Sequence, residues 1–230
     1  MSNIKRKPGR PSLSDAQKQE IRNDIIDIAR ELFVNEGYES TSMRKIAAQA
    51  GFAPTKIYYY FENKKSILRH FWQDISEEMW AFCKPPEHIM SQSPLDVIRY
   101  LMSRNVRYWL ENPKSFQLGI ATQDYKADTS ENFDFYSALG TRSYIELMHK
   151  SVQACIDEGI FRESNVMITS QIIGMAVYGI YGAYYNLPTV PWEKSDELID
   201  EAIENTLRGL MLPDAVSVEL EQPQELAFAG

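Results

Sequence analysis

Residues 41–64 read TSMRKIAAQAGFAPTKIYYYFENK, and the punctuation of this stretch decides the fold. Thr41 can cap a short helix, Ser42 to Ala50, which stops at Gly51. Gly51-Phe52-Ala53 forms a three-residue turn, and Pro54 is suited to the first position of a second short helix, Pro54 to Phe61. Glu62-Asn63 ends that helix, and a longer one runs from about Lys64 to Cys83, where Pro85-Pro86 halts it. Two short helices joined by a tight glycine-containing turn and braced by longer ones describe a helix-turn-helix.

The second short helix can be laid out at about 100° per residue. Ile57 and Phe61, four apart, define its core face; Thr55, Lys56 and Tyr59 fall opposite, and Tyr58 and Tyr60 lie on the flanks. Such a rod suits a major groove about 12 Å wide. Thr55, Lys56 and Tyr59 would meet base edges, and the flanking tyrosine hydroxyls would reach phosphates on either wall. The alternative is that Tyr58-Tyr59-Tyr60-Phe61 is an aromatic core segment. Three consecutive tyrosines span most of a helix circumference, however, so at least one must face outward beside Lys56 and Lys64.

Upstream, Ser14 and Gln17 form a capping-box pattern opening a helix that carries Ile21, Ile25, Ile28, Leu32 and Phe33 at helical spacing and ends at Gly37. Residues 1–13 hold Lys5, Arg6, Lys7 and Arg10, two prolines and no acid, and read as a mobile basic arm or a merely solubilising tail. Downstream, helices are expected over 94–111, 113–126, 131–158, 165–186 and 194–211. Pro213 closes the last, and 214–230 reads as a loose tail. The fold class is therefore all-α: a helix-turn-helix head over 14–63, a linking helix over 64–84, and a helical body that extends to 213.

The net charge of −8 conceals a division. Residues 1–72 hold 13 Lys/Arg against 8 Asp/Glu, and residues 73–230 hold 11 against 24. Only the head suits a polyanion; the body would be repelled by one. Cys83 and Cys155 match no metal or redox spacing, and His70, His88 and His149 form no ligand pattern, so no metal or cofactor is expected. A secretory signal is not expected either, since no apolar run follows the basic arm. The apolar stretch 166–187 is interrupted by Thr169, Ser170, Gln171 and Asn186. About 14 consecutive residues remain where a span needs roughly 20, so it reads as a buried helix of a cytoplasmic protein.

Residues 25–71 resemble the DNA-binding head of the TetR family of bacterial regulators. The resemblance rests on Ala29-x-x-Leu32-Phe33, Gly37-Tyr38, Thr41-Ser42, Ile46-Ala47, Ala50-Gly51, Ile57-Tyr58-x-Tyr60-Phe61 and Lys64-Lys65-x-x-Leu68. It implies that Thr41 and Ser42 meet phosphate at a helix N-terminus and that Arg44 reaches a base edge, guanine above all. It further implies that Thr55 and Lys56 contact bases, and that Tyr58, Tyr60 and Lys64 contact phosphates. Ala53 departs from the pattern, which often has a capping serine there; an alanine cap costs about 1 kcal/mol relative to serine.

A single head reads few base pairs, so regulators of this kind pair two. Ala176, Gly179 and Ala183, with Gly182 adjacent, put small residues on one face of the 165–186 helix, and isologous packing with 194–211 would make a four-helix bundle. The competing reading is that these glycines serve packing within one subunit. The resemblance also implies a small-molecule effector cavity in the body, for which Met102, Trp109, Phe116, Tyr144, Met148 and Tyr178 are wall candidates. The expected partners are thus a double-stranded operator, an effector and a second copy. Rival readings are a nucleoid-type structural DNA-binding protein, which would want basic charge throughout, and a ligand-independent or activating regulator. An enzyme is disfavoured by the lack of any phosphate loop, metal spacing or nucleophile motif. A pure protein-interaction module leaves the basic head unexplained.

Overall fold

The computed structural model describes residues 14–121, 138–192 and 196–221, and every described element is helical. In chain order they are α1 (Asp15–Glu36), α2 (Met43–Gln49), α3 (Pro54–Tyr60), α4 (Lys64–Cys83), α5 (Glu87–Met90) and α6 (Pro94–Glu111). They continue with α7 (Pro113–Ala121), α8 (Leu139–Asp157), α9 (Val166–Asn186), α10 (Asp196–Arg208) and α11 (Pro213–Glu221). The chain is all-α; an isolated antiparallel bridge joins Phe161 to Met211. The basic arm lies outside the described residues, as do 131–137 of the helix expected there. The described residues fall into two compact units, the first running to Phe71 and taking in the end of α7 from Gln117, the second holding the rest from Trp72, and α4 passes from the first to the second between Phe71 and Trp72.

In the first unit, the capping box at Ser14 forms as expected. The Gln17 amide donates to the serine hydroxyl, and the Ser14 amide donates to the Gln17 side chain. α1 buries Ile25, Ala29 and Phe33, and Phe33 meets Tyr38 and Phe71 edge-on at centroid distances of 5.0 and 6.0 Å. α2 adds Met43, Ile46 and Ala47. The α2–α3 turn needs Gly51, whose φ of +67° lets the Phe52 amide return to the Ala47 carbonyl at 2.8 Å. α4 starts at an Asn63 cap, where the Ser66 amide donates to the asparagine oxygen.

In the second unit, α6 is the central rod, packed by α8, α9 and α10. Ser93 caps it and Pro94 occupies its first turn. Leu101, Met102 and Val106 are completely buried along it. Arg99 is also buried and is paired through its guanidinium fork with buried Glu204 of α10, while Asp96 takes a further donor. The bidentate geometry offsets the desolvation of both charges. Nearer the C-terminal end of α6, Trp109, Phe116, Tyr181 and Tyr185 form a continuous aromatic cluster. Phe116 stacks on Tyr185 at 4.4 Å, and the Tyr185 hydroxyl donates to the Trp109 carbonyl at 2.8 Å.

Two elements depart from the sequence reading. α5 is a single turn after Pro85-Pro86, which read only as a stop. α11 occupies the start of the stretch read as a loose tail, because Pro213 opens a helix instead of closing one. The corner before α11 is held to the corner before α9: the Arg162 amide donates to Leu210, and the Leu212 amide to Ile160, both at 3.0 Å.

α4 and α8 approach closely at Gly140. A Cβ built there would lie 2.1 Å from the Ser76 carbonyl oxygen, and the Ser76 hydroxyl accepts from the Thr141 amide at 2.7 Å. Because the obstacle is backbone, it cannot swing aside. Gly140→Ala is expected to lower stability by about 1–3 kcal/mol, read from denaturant unfolding; unchanged stability would contradict this close approach.

Candidate nucleic-acid interface

α3 is set by its inward residues. Ile57 is fully buried and Phe61 is 2% exposed, so the rod has one possible orientation. Its C-terminal end is clamped from α1: the Arg22 guanidinium donates to the Tyr60 carbonyl at 3.0 Å, satisfying an acceptor that the helix leaves open. The same guanidinium lies 4.4 Å from the Phe61 ring centre and against His70. His70 in turn meets Phe61 edge-on at 5.6 Å. The sequence reading gave Arg22 no role, since 38 residues separate it from Tyr60 and no local pattern links them.

Outward, Tyr59 is 71% exposed and Tyr58 54%, and Thr55 is also exposed. Tyr60 is half-buried, with its ring edge-on to Tyr59 at 5.1 Å. From α2, Arg44 is exposed, as is Ser42, whose hydroxyl caps the helix by accepting from the Lys45 amide. The structure therefore brings Arg44, Thr55, Tyr58 and Tyr59 to the surface of one helix pair.

Three expected residues sit differently. Thr41 is 1% exposed, and its hydroxyl donates to the Gly37 carbonyl at 2.9 Å; it closes the α1–α2 loop instead of facing a phosphate. Lys56 does not project freely: it is half-buried, with its ammonium 3.5 Å from the Phe52 ring centre. Lys64 donates to the Tyr38 carbonyl at 2.7 Å and lies over the Tyr38 ring at 4.3 Å. Burial lowers its pKa from the usual lysine value, against a raising influence from Glu39. Its first task is to tie α4 to the loop after α1, with two ammonium protons left over.

A family model described as "Bacterial regulatory proteins, tetR family" matches residues 25–71, the segment that builds this helix pair and its braces. Over these residues the chain is similar to the TetR family. It is 37% identical over 86 residues to the HTH-type transcriptional regulator AcrR of Shigella flexneri, a match covering 37% of this chain and 40% of that protein. The chain thus spans less than half the length of that relative. It is 26% identical over 172 residues to the HTH-type transcriptional regulator QacR of Staphylococcus aureus, covering 70% of this chain and 84% of that one. A TetR-family structure from Marinobacter aquaeolei superposes with a TM-score of 0.66 at 16% identity over 86% of this chain and 99% of that one. One from a Shewanella species gives 0.64 at 14%, over 84% and 98%. The chain therefore shares the fold of these structures, and the family-model match lies in the head.

In the body, Met102, Trp109, Phe116 and Met148 are buried and Tyr144 is half-buried. The Tyr144 hydroxyl donates to the Leu101 carbonyl, and burial raises its pKa well above the ordinary phenol value. Tyr178 departs from this group: it is 47% exposed on the outer face of α9. That face also exposes Met167, Ile168, Ile172 and Met175. Gly179 is open, with nothing near the position of a Cβ, whereas Gly182 is buried beneath Tyr178 and Asn186. Gly182 is thus covered within its own chain, and Ala176 and Ala183 are half-buried at the margin. α9 was expected to be a buried helix, yet only 33% of its most apolar 18-residue window is buried. It is long and apolar enough to cross a membrane by length and composition alone. The cysteines are free and buried, each pushed up to about 12 by desolvation, so neither is a reactive thiolate.

Proposed function

We propose that this chain is a TetR-family regulator: a dimeric, sequence-specific DNA-binding repressor, released from a palindromic operator by a small-molecule effector. The observation that carries the reading is the outward face of α3. Tyr58 and Tyr59 stand exposed on a rod anchored by Ile57 and Phe61, beside exposed Arg44. Large aromatics on a basic head, uncovered and fixed in orientation, suit a groove better than bulk water. Arg44, Thr55, Lys56 and Tyr59 are assigned to base edges. Tyr58, Tyr60 and Ser42 are assigned to phosphates, with Lys64 able to add one through its remaining protons.

A second copy is assigned to the apolar face of α9, with α10 beside it, so that two heads read two half-sites. Repression follows from occupation of a promoter by such a dimer, and the site of action would be the cytoplasm. The effector is assigned to the interior of the body near Met102, Tyr144 and Met148. To release DNA it must favour the DNA-incompetent state by several kcal/mol. The test is selection of duplexes from a random pool by the full chain, followed by competition with metabolite classes. A palindromic consensus lost on adding one class supports the reading; enrichment without sequence preference favours the nucleoid-type alternative.

The arm at residues 1–13 is assigned to phosphate or minor-groove contacts. Deleting residues 1–10 removes Lys5, Arg6, Lys7 and Arg10. The salt dependence of DNA binding should flatten by roughly 0.9 in log–log slope for each phosphate that the arm neutralises, and an unchanged slope would remove the arm from the interface.

A further inference from the structure

We propose that Phe52 is a positioning residue for sequence recognition, its ring fixing where Lys56 meets the duplex. The inference deepens the regulator reading and rests on it. Phe52 sits in the α2–α3 turn, half-buried, and the Lys56 ammonium lies 3.5 Å from its ring centre. Lys56 is the third residue of α3, in the turn of helix where the backbone dipoles present their positive end. A cation there is electrostatically out of place, and the negative face of the ring offsets that.

The consequence for recognition is one of freedom. A mobile surface lysine satisfies any phosphate within its arc, which adds affinity without sequence information. A duplex that immobilises it must also offset its lost rotamers. An ammonium already held by Phe52 has one reach, and it rewards only the base-pair step presented at that reach. Phe52 therefore acts through Lys56, and its contribution appears as discrimination more than as affinity for DNA in general.

The experiment compares a duplex enriched from a random pool by the wild-type chain with a random duplex of equal length. Phe52→Leu keeps apolar bulk at a half-exposed position and removes the ring face. The ratio of the two affinities should fall about two- to fivefold for each head, with binding to the random duplex unchanged. Phe52→Tyr should retain the wild-type ratio, and in a Lys56→Met background Phe52→Leu should have no further effect. In the free protein, the Lys56 ε-methylene protons should be shifted upfield by the ring and lose that shift in Phe52→Leu. An undiminished ratio in Phe52→Leu, or a fall in the ratio that persists in the Lys56→Met background, overturns the proposal. A wild-type chain that enriches no sequence overturns the regulator reading and this inference together; a selective wild type matched by Phe52→Leu overturns the inference alone.

Discussion

Met175→Glu is expected to turn the proposed dimer into monomers while leaving each chain folded. Met175 is 73% exposed, the most exposed large apolar side chain among the described residues, and it lies on the α9 face with Ile168, Ile172 and Tyr178. In the free chain a carboxylate there meets water, so the cost to folding is small. Across a two-fold axis the same substitution enters twice. Each unpaired charge taken from water costs several kcal/mol, and about 4 kcal/mol already corresponds to about a thousandfold in dissociation constant. Gly179→Leu is a second probe of the same face. The space beside Gly179 is open in the single chain, so leucine fits there and obstructs only a neighbour. Sedimentation velocity at micromolar concentration should show monomers for both variants with unchanged helical content. Dimers persisting in both would assign the face some other occupant.

The second large effect concerns DNA. Arg44→Ala and Tyr59→Ala, taken singly, should each remove an interaction of order 1–3 kcal/mol from each head. In a two-headed complex the effect is doubled, giving roughly a 30-fold to 10⁴-fold drop in affinity for the selected duplex. Neither side chain supports the core: both are exposed, and such substitutions change stability by within about 0.5 kcal/mol. Ile57→Ala provides the contrast. It empties a fully buried site and should destabilise the head by about 2–5 kcal/mol, losing DNA binding through unfolding. Titrations with thermal unfolding run in parallel separate the two behaviours. Full-strength binding by Tyr59→Ala would detach α3 from the proposed role.

The elements that were legible in sequence are those governed by local rules. Ser14 with Gln17, Gly51 with φ +67°, and Pro54 opening α3 each act within a few residues of themselves. Ile57 and Phe61 were readable as inward because four-residue spacing leaves one face for the core. What escaped depends on distant partners. Arg22 clamps Tyr60 from another helix, and Lys64 is drawn onto Tyr38; Thr41 escaped although its partner, the Gly37 carbonyl, is only four residues away. The ring partner of Lys56 was missed for a subtler reason: a wheel projects side chains radially, whereas a long flexible lysine bends back along the helix to find an aromatic ring. On α9, small-residue spacing pointed to Gly179 and Gly182 together. Which of them stays uncovered is decided by the way Tyr178 folds over Gly182, which spacing does not encode.

The outer face of α3 is proposed as the surface that reads DNA, and every other functional assignment depends on it. Photo-crosslinking of the full chain to the selected duplex, carrying iodouracil at each thymine in turn, tests it most directly. Crosslinks are expected at Tyr58 and Tyr59 from positions within the consensus half-sites. Crosslinks confined to the acidic body, or none on α3 from any position in a duplex that binds, would contradict it.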